Sequence, residues 1–337
     1  MAGWMDGWIE EESFKITHRS HFRSTMLEVS SHLLALRVII SCVGLTGNVY
    51  LIFFIIQTRV SSVKTFELFL LGLATANLEE IVIVNIYDIV ILQKSYVVSD
   101  AWLCRSLKFL TVFGEMGSIL FTVLISVYRY QKLRDAVKRV NLPIYLDNIH
   151  AAWTTIWLCL GISILLSSPI FVMNLQGPTR NLMGNHTWNP TGCSPDFFLC
   201  SSNHCPTVNR LYKYTFILLC YLLPLAVVTV TSSLIVVVLL GPRTAVKPIG
   251  SVSGSDQIER KRNVRRLHRS TIAVLAAMVL FLVDWTLYLF FQMTFNATDF
   301  PFWVELEFFI STSYTSISPY VFGLGKSLFT IKNLCKK

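Results

Sequence analysis

The chain has 337 residues, of which 53% are hydrophobic and only 15% charged. Soluble globules carry nearer a quarter of charged residues, so a purely aqueous fold is excluded and lipid must be the main solvent. A formal net charge of +9 raises nucleic-acid binding as a reading, which the placement of the charge then excludes.

Residues 1–32 contain Glu10, Glu11 and Glu12 with several His and Arg, and no short apolar core followed by a small-residue cleavage site. They read as an extracellular N-terminal segment, with the first span acting as its own insertion signal. A bilayer core takes about 20 mostly apolar residues per helix. Seven such stretches follow, about Leu33–Gln57, Phe66–Leu92, Trp102–Tyr130, His150–Val172, Tyr214–Leu240, Ser270–Met293 and Phe302–Leu324. Their apolar runs lack the alternation of barrel strands, and helices are the remaining way to cross lipid with every backbone group satisfied. The fold class is therefore an all-α membrane protein, a seven-helix bundle over 33–324. In the tail, 325–337, Leu328, Phe329, Ile331 and Leu334 suit a short cytoplasmic amphipathic helix on the membrane surface.

Charge sets the orientation. Lys and Arg gather in the connections after spans one, three and five, as at Lys132, Arg134, Arg260, Lys261, Arg262, Arg265 and Arg266, and again in the tail. The opposite connections hold few. By the positive-inside rule the N-terminus lies outside. Two glycosylation sequons, at Asn185 and Asn296, fall on that outer side. Cys104 opens span three there, and Cys193, Cys200 and Cys205 lie in the long outer connection before span five, where disulfides persist. Four cysteines allow three pairings. Cys104 with Cys193 beside a local Cys200–Cys205 bridge is preferred, and Cys104 with Cys200 stays open. Cys335, flanked by lysines near the inner face, is a palmitoylation candidate or a free thiol.

Motif-scale features then separate a receptor from other seven-helix proteins. Span one contains Gly47-Asn48-Val49, span two Leu73-Ala74-Thr75-Ala76-Asn77, and span three ends in Tyr128-Arg129-Tyr130. Span five carries Pro224. Span six has Trp285 with Leu287, not proline, two residues on, and span seven reads Ser318-Pro319-Tyr320-Val321-Phe322. In order and spacing this set resembles the rhodopsin-like G-protein-coupled receptors, with Asn77 standing for their acid, Tyr128 for the acid of their acidic-Arg-Tyr triplet, and Ser318 for the Asn before their proline. The departures together resemble the vomeronasal type-1 receptors, especially the fish olfactory receptors related to class A, over essentially the whole chain from Leu33 onward. Bitter-taste receptors are the nearest competing resemblance.

That resemblance implies a chemosensory receptor in the plasma membrane of sensory neurons, binding a small odorant or pheromone and activating a heterotrimeric G protein, with no cofactor. It places Arg129, Tyr128, Tyr130, Asn77 and Pro319 in coupling and activation. Without a carboxylate at Asn77, sodium modulation is expected to be weak or absent. Without an acid at Tyr128, Arg129 is expected to be held by other groups or to be looser at rest, with some basal signalling.

Charged groups inside lipid are costly and default to function. Glu115 follows Cys104 by eleven residues; at about 100° per residue it faces within roughly 20° of Cys104 and some 40° of Arg129, toward the bundle interior. Asp88 lies about three turns outward of Asn77 on one face, while Glu79 points elsewhere. Glu115, Asp284, Glu80 and Asp88, with Tyr87, Trp285 and Tyr288, are the expected ligand-binding residues, in a pocket of acids and aromatics suited to an amine or a polarised hydroxyl. The competing expectation is that some of these acids are protonated, since a buried carboxyl tends to neutralise, or are paired with Asn, Tyr or Lys108. No nucleophile–base set or metal-ligand spacing appears, so an enzyme is not expected. A proton-linked carrier or channel using Glu79, Glu80, Glu115 and Asp284 is the other-class alternative.

Overall fold

The computed structural model describes residues 2–57, 64–92, 101–138, 145–172, 179–180, 186–187, 207–240, 254–294 and 303–325. Among these residues the chain forms seven long helical rods: α1 (Ala2–Gln57), α2 (Thr65–Leu92), α3 (Ala101–Lys138), α4 (Ile149–Ser167), α5 (Thr207–Leu240), α6 (Gly254–Thr294) and α7 (Trp303–Gly325). Short 3-10 turns, Tyr145–Asp147 and Ser168–Phe171, flank α4, whose first turn is capped by Asn148. Two-residue strands β1 (Thr179–Arg180) and β2 (His186–Thr187) pair antiparallel.

Three helices run well beyond the expected spans, whereas α4 ends at Ser167, short of the expected Val172, and passes into the 3-10 turn Ser168–Phe171. α1 continues back to Ala2, α3 runs on to Lys138, and α6 begins at Gly254, carrying the basic run as a helical extension of span six. Apolarity locates the part of a helix in lipid, whereas helix propensity continues into water.

Six of the rods are long and apolar enough to cross a membrane. α7 is not among them, because Thr312, Ser313, Tyr314, Thr315, Ser316 and Ser318 make its middle polar. That stripe is turned inward. Thr312, Tyr314, Thr315 and Ser318 are wholly buried, so neighbouring helices shield it from lipid.

α3 lies at the centre, packed against α2, α4, α5 and α6, while α1 joins α2 to α7. The core is continuous from Leu51 on α1 to Phe322 on α7. Outward faces of α4 and α5 remain apolar and exposed, as at Trp157, Leu165, Leu211 and Val237, as a lipid solvent requires. Phe290 and Phe291 divide between the two: Phe290 is exposed and Phe291 buried.

Two prolines shape the rods. Pro224 has no N–H for the Cys220 carbonyl, and its ring crowds that oxygen; the preceding turn, Ile217–Leu222, widens into a π-helix. Pro319 sits inside α7 and withholds the bond that Thr315 would receive. Asn48 of α1 supplies it instead, donating Nδ2 to the Thr315 carbonyl at 3.0 Å and to the Gly44 carbonyl at 2.9 Å. Gly47 permits this approach, since a Cβ there would stand 2.9 Å from Pro319 Cγ and 2.6 Å from Tyr320 Cε2.

Cys104 is disulfide-bonded. Its candidate partners Cys193, Cys200 and Cys205, the sequons at Asn185 and Asn296, and Cys335 with the tail Lys326–Lys337 lie outside the described residues.

Candidate functional site

In the outer half of the bundle a cavity of about 60 Å³ opens among α2, α3, α5, α6 and α7, room for a few waters or one ligand head group. Helical periodicity builds its walls. Glu80, Val84, Tyr87 and Asp88 share one face of α2, and Lys108, Thr111, Val112 and Glu115 one face of α3. Tyr221 enters from the π-helical turn of α5, Tyr288 from α6, and Glu307, Phe308 and Ser311 from α7.

The charges fall into two levels. At the outer level Asp88 pairs with Arg37 of α1 in a buried salt bridge. Arg37 also donates Nε to Asn85 Oδ1 at 3.3 Å and lies 4.0 Å from the Phe308 ring centroid. Lys108 stands 5.0 Å from the Tyr87 ring centroid, within electrostatic reach of Glu307, Asp88 and Glu115. Glu307 accepts from Gln292 at 3.3 Å and from Tyr288 at 3.4 Å. At the deeper level Glu115 accepts a 2.7 Å hydrogen bond from the Tyr221 hydroxyl. Glu80, 1% exposed, has no hydrogen-bond partner on either carboxylate oxygen.

Five of the seven expected ligand-binding residues thus line the cavity: Glu115, Tyr288, Glu80, Asp88 and Tyr87. The other two do not. Asp284 is turned to α7, accepting from Ser313 Oγ at 2.6 Å. Trp285 lies behind the lining aromatics, its ring 5.1 Å from Tyr221 and 5.3 Å from Tyr288. Their adjacency on α6 to Tyr288 made both look like lining residues, but the three point in different directions from one helix.

Sequence reasoning missed Glu307, Tyr221 and Arg37 as site residues. Glu307 was detectable as an acid inside the first turns of span seven. Arg37 was detectable as a cation inside span one, although nothing in the sequence named Asp88 as its partner.

A second polar cluster lies below the cavity. Asn77 donates to Asn48 at 3.3 Å and to Ser318 at 3.2 Å, and accepts from Ser118 at 2.7 Å. Its partners come from α1, α7 and α3, and all are neutral.

At the inner end of α3 the Arg129 guanidinium lies 3.3 Å from the Phe66 ring centroid and is buried. A loose Arg129 was one of the two expectations, and the structure has the other, a residue held by an aromatic face. Tyr128 donates to Asp147 Oδ1 at 2.9 Å, Lys132 pairs with Asp147 Oδ2 at 2.6 Å, and Thr65 Oγ1 donates to the Asp147 carbonyl at 3.2 Å. Tyr130 is half-buried, with the Arg134 guanidinium 5.9 Å from its ring centroid.

Asp147 lies outside the membrane spans. Partial burial works against its charge, but hydrogen bonds from Lys132 and Tyr128, together with the Lys132 ammonium, outweigh it and hold the carboxyl below its usual range. Among the described residues no group of His, Cys, Asp and Glu is placed to hold a metal ion.

A polar cavity on one side of a seven-helix bundle and a buried Arg–aromatic contact at the other end of its central helix define a membrane receptor. The chain belongs to the 7 transmembrane receptor (rhodopsin family), whose family model matches residues 47–321. Members of that family are signalling receptors, not enzymes. It is also similar to the Tachykinin-like peptides receptor 99D of Drosophila melanogaster, 25% identical over 301 residues, covering 84% of this chain and 52% of that relative. The chain spans about half the length of the relative it matches.

Proposed function

We propose that this receptor is chemosensory. It binds a small extracellular odorant or pheromone in the cavity among α2, α3, α5, α6 and α7 and activates a heterotrimeric G protein at the inner ends of α3, α5 and α6. The observation that carries this reading is the deep placement of the unpaired acid Glu80 beneath a rim of Tyr87, Lys108 and Glu307, where a small polar ligand would be enclosed. The departures at Asn77, Tyr128, Leu287 and Ser318, which resemble vomeronasal type-1 receptors, favour the same branch and a plasma-membrane location in sensory neurons.

Ligand binding among these walls biases an equilibrium between inner-face arrangements. The resting arrangement is the one in which Arg129 lies on Phe66 and Tyr128 holds Asp147. Separating these contacts exposes the inner ends of α3, α5 and α6 to the G-protein α-subunit.

A second reading, a peptide receptor, is favoured by the name of the fly relative. Cells expressing the chain, challenged with water-soluble odorants and separately with short peptides while G-protein activation and membrane current are recorded, distinguish the readings. Activation by small odorants without current supports the chemosensory receptor, activation by peptides alone supports the second reading, and current without G-protein activation defeats both.

A further inference from the structure

Four acids line the cavity, Glu80, Asp88, Glu115 and Glu307, against one lining cation, Lys108. Three of the four are answered: Asp88 by Arg37, Glu115 by the Tyr221 hydroxyl, and Glu307 by Tyr288 and Gln292. Glu80 is not. Both its oxygens are buried and without a hydrogen bond, and the charged groups that face it are Glu115 and Glu79, acids both.

Depth sharpens the contrast. Along α2, Glu80 lies eight residues inward of Asp88, about 12 Å at the helical rise. Along α3, Glu115 lies seven residues inward of Lys108, about 10 Å. Lys108 therefore belongs to the rim with Asp88 and Glu307, and the floor holds two carboxylates. A buried charge is strongly disfavoured unless it is paired, so an ionised Glu80 needs a positive partner that the cavity's own residues do not supply.

We propose that the missing group is the ammonium of the ligand: the receptor takes primary amines, and Glu80 is the residue that binds the amine nitrogen. This rests on the cavity being the ligand site. Glu115 lies beside the same nitrogen and is kept in place by Tyr221, whereas Tyr87, Tyr288 and Phe308 cover the carbon skeleton. Aromatic faces around a cation add to its binding. The small volume fits the ammonium end of the ligand at the floor with its tail directed outward.

The test is a binding titration on the full-length receptor in lipid nanodiscs, read by the thermal unfolding midpoint. Probes are phenethylamine and butylamine, each beside the alcohol and the carboxylate of similar skeleton. Amines are expected to raise the midpoint, and alcohols and carboxylates to leave it unmoved. Replacing Glu80 with Gln keeps the size of the side chain but removes its charge and turns one acceptor oxygen into an amide donor. Glu80→Gln is expected to weaken amine binding by about 10- to 100-fold, and Asp284→Asn, whose carboxylate is turned to Ser313 outside the cavity, to leave it unchanged.

Equal shifts from amine and alcohol, no shift from either amine, or full amine affinity in Glu80→Gln would each overturn the proposal. If Glu80→Gln does not fold, the amine-against-alcohol comparison on the native chain decides by itself. G-protein activation in cells separates the two levels. Amine binding without activation defeats the receptor reading alone, and activation by neutral or acidic odorants without amine binding defeats the Glu80 assignment alone.

Discussion

Asn48 on α1 donates its side-chain amide to the Thr315 carbonyl of α7 across 3.0 Å, at the carbonyl that Pro319 cannot serve. The proline and the asparagine are thus one device: a break in the backbone ladder of one helix, filled by a side chain from another. Replacing Asn48 with Ala should leave Thr315 unpaired and remove a partner of Asn77. A stability loss of about 1–3 kcal/mol is expected, read as a lower unfolding midpoint in detergent with surface expression reduced.

Asp147 holds Tyr128 and Lys132 on α3 and, through its carbonyl, Thr65 on α2. Asp147→Ala should release Tyr128, which stacks near Phe66, the ring beneath Arg129, and raise basal G-protein activation about twofold or more. An unchanged basal level at equal surface density would show that this cluster does not restrain the resting state. Its folded carboxyl is held low, so its contribution is present above the ordinary carboxylate value of about 3.9 and lost only as pH falls through the still lower folded value. Mild cytosolic acidification should therefore leave basal activity unaltered.

Asn77 has only neutral partners, Asn48, Ser118 and Ser318. Agonist dose curves in sodium chloride and in choline chloride should superimpose for the native chain. Asn77→Asp places a carboxylate among the same hydroxyls and should introduce a sodium dependence of agonist affinity.

Glu115 and Asp284 are both intramembrane acids, and they should behave differently. Glu115→Gln alters a cavity wall and should weaken the response to the natural agonist about tenfold, on the scale of a charged hydrogen bond, at unchanged surface expression. Asp284→Asn alters a contact to Ser313 outside the cavity and should leave the agonist midpoint in place. A large agonist shift in Asp284→Asn would place that residue in the site.

The seventh helix shows why apolarity and architecture are separate matters. Its polar stripe makes it the weakest span by hydropathy, yet that stripe is what the bundle needs: Thr312, Tyr314, Thr315 and Ser318 lie wholly buried, with Tyr314 bonded to Thr122 at 2.7 Å and Ser318 to Asn77. The helices α1 and α3 also run beyond their expected spans, because the transition from lipid to water changes side-chain polarity without ending the helix.

By itself the sequence determined the helices and their number, because backbone satisfaction in lipid is a local property of each segment. It also placed two acids on inward faces of single helices, since Asp88 relative to Asn77 and Glu115 relative to Cys104 follow from a period of about 3.6 residues. The tertiary structure alone decided which inward groups meet. Arg37 neutralises Asp88, Asp147 takes the hydroxyl of Tyr128, Asp284 turns to Ser313, and Glu307 joins the cavity. Each of those outcomes depends on the rotation of one helix relative to another, a quantity that no single helix encodes. The expectation of a seven-helix bundle stands, with six helices apolar enough to cross a membrane, and the structure adds that the seventh, the least apolar, completes both the cavity and the core.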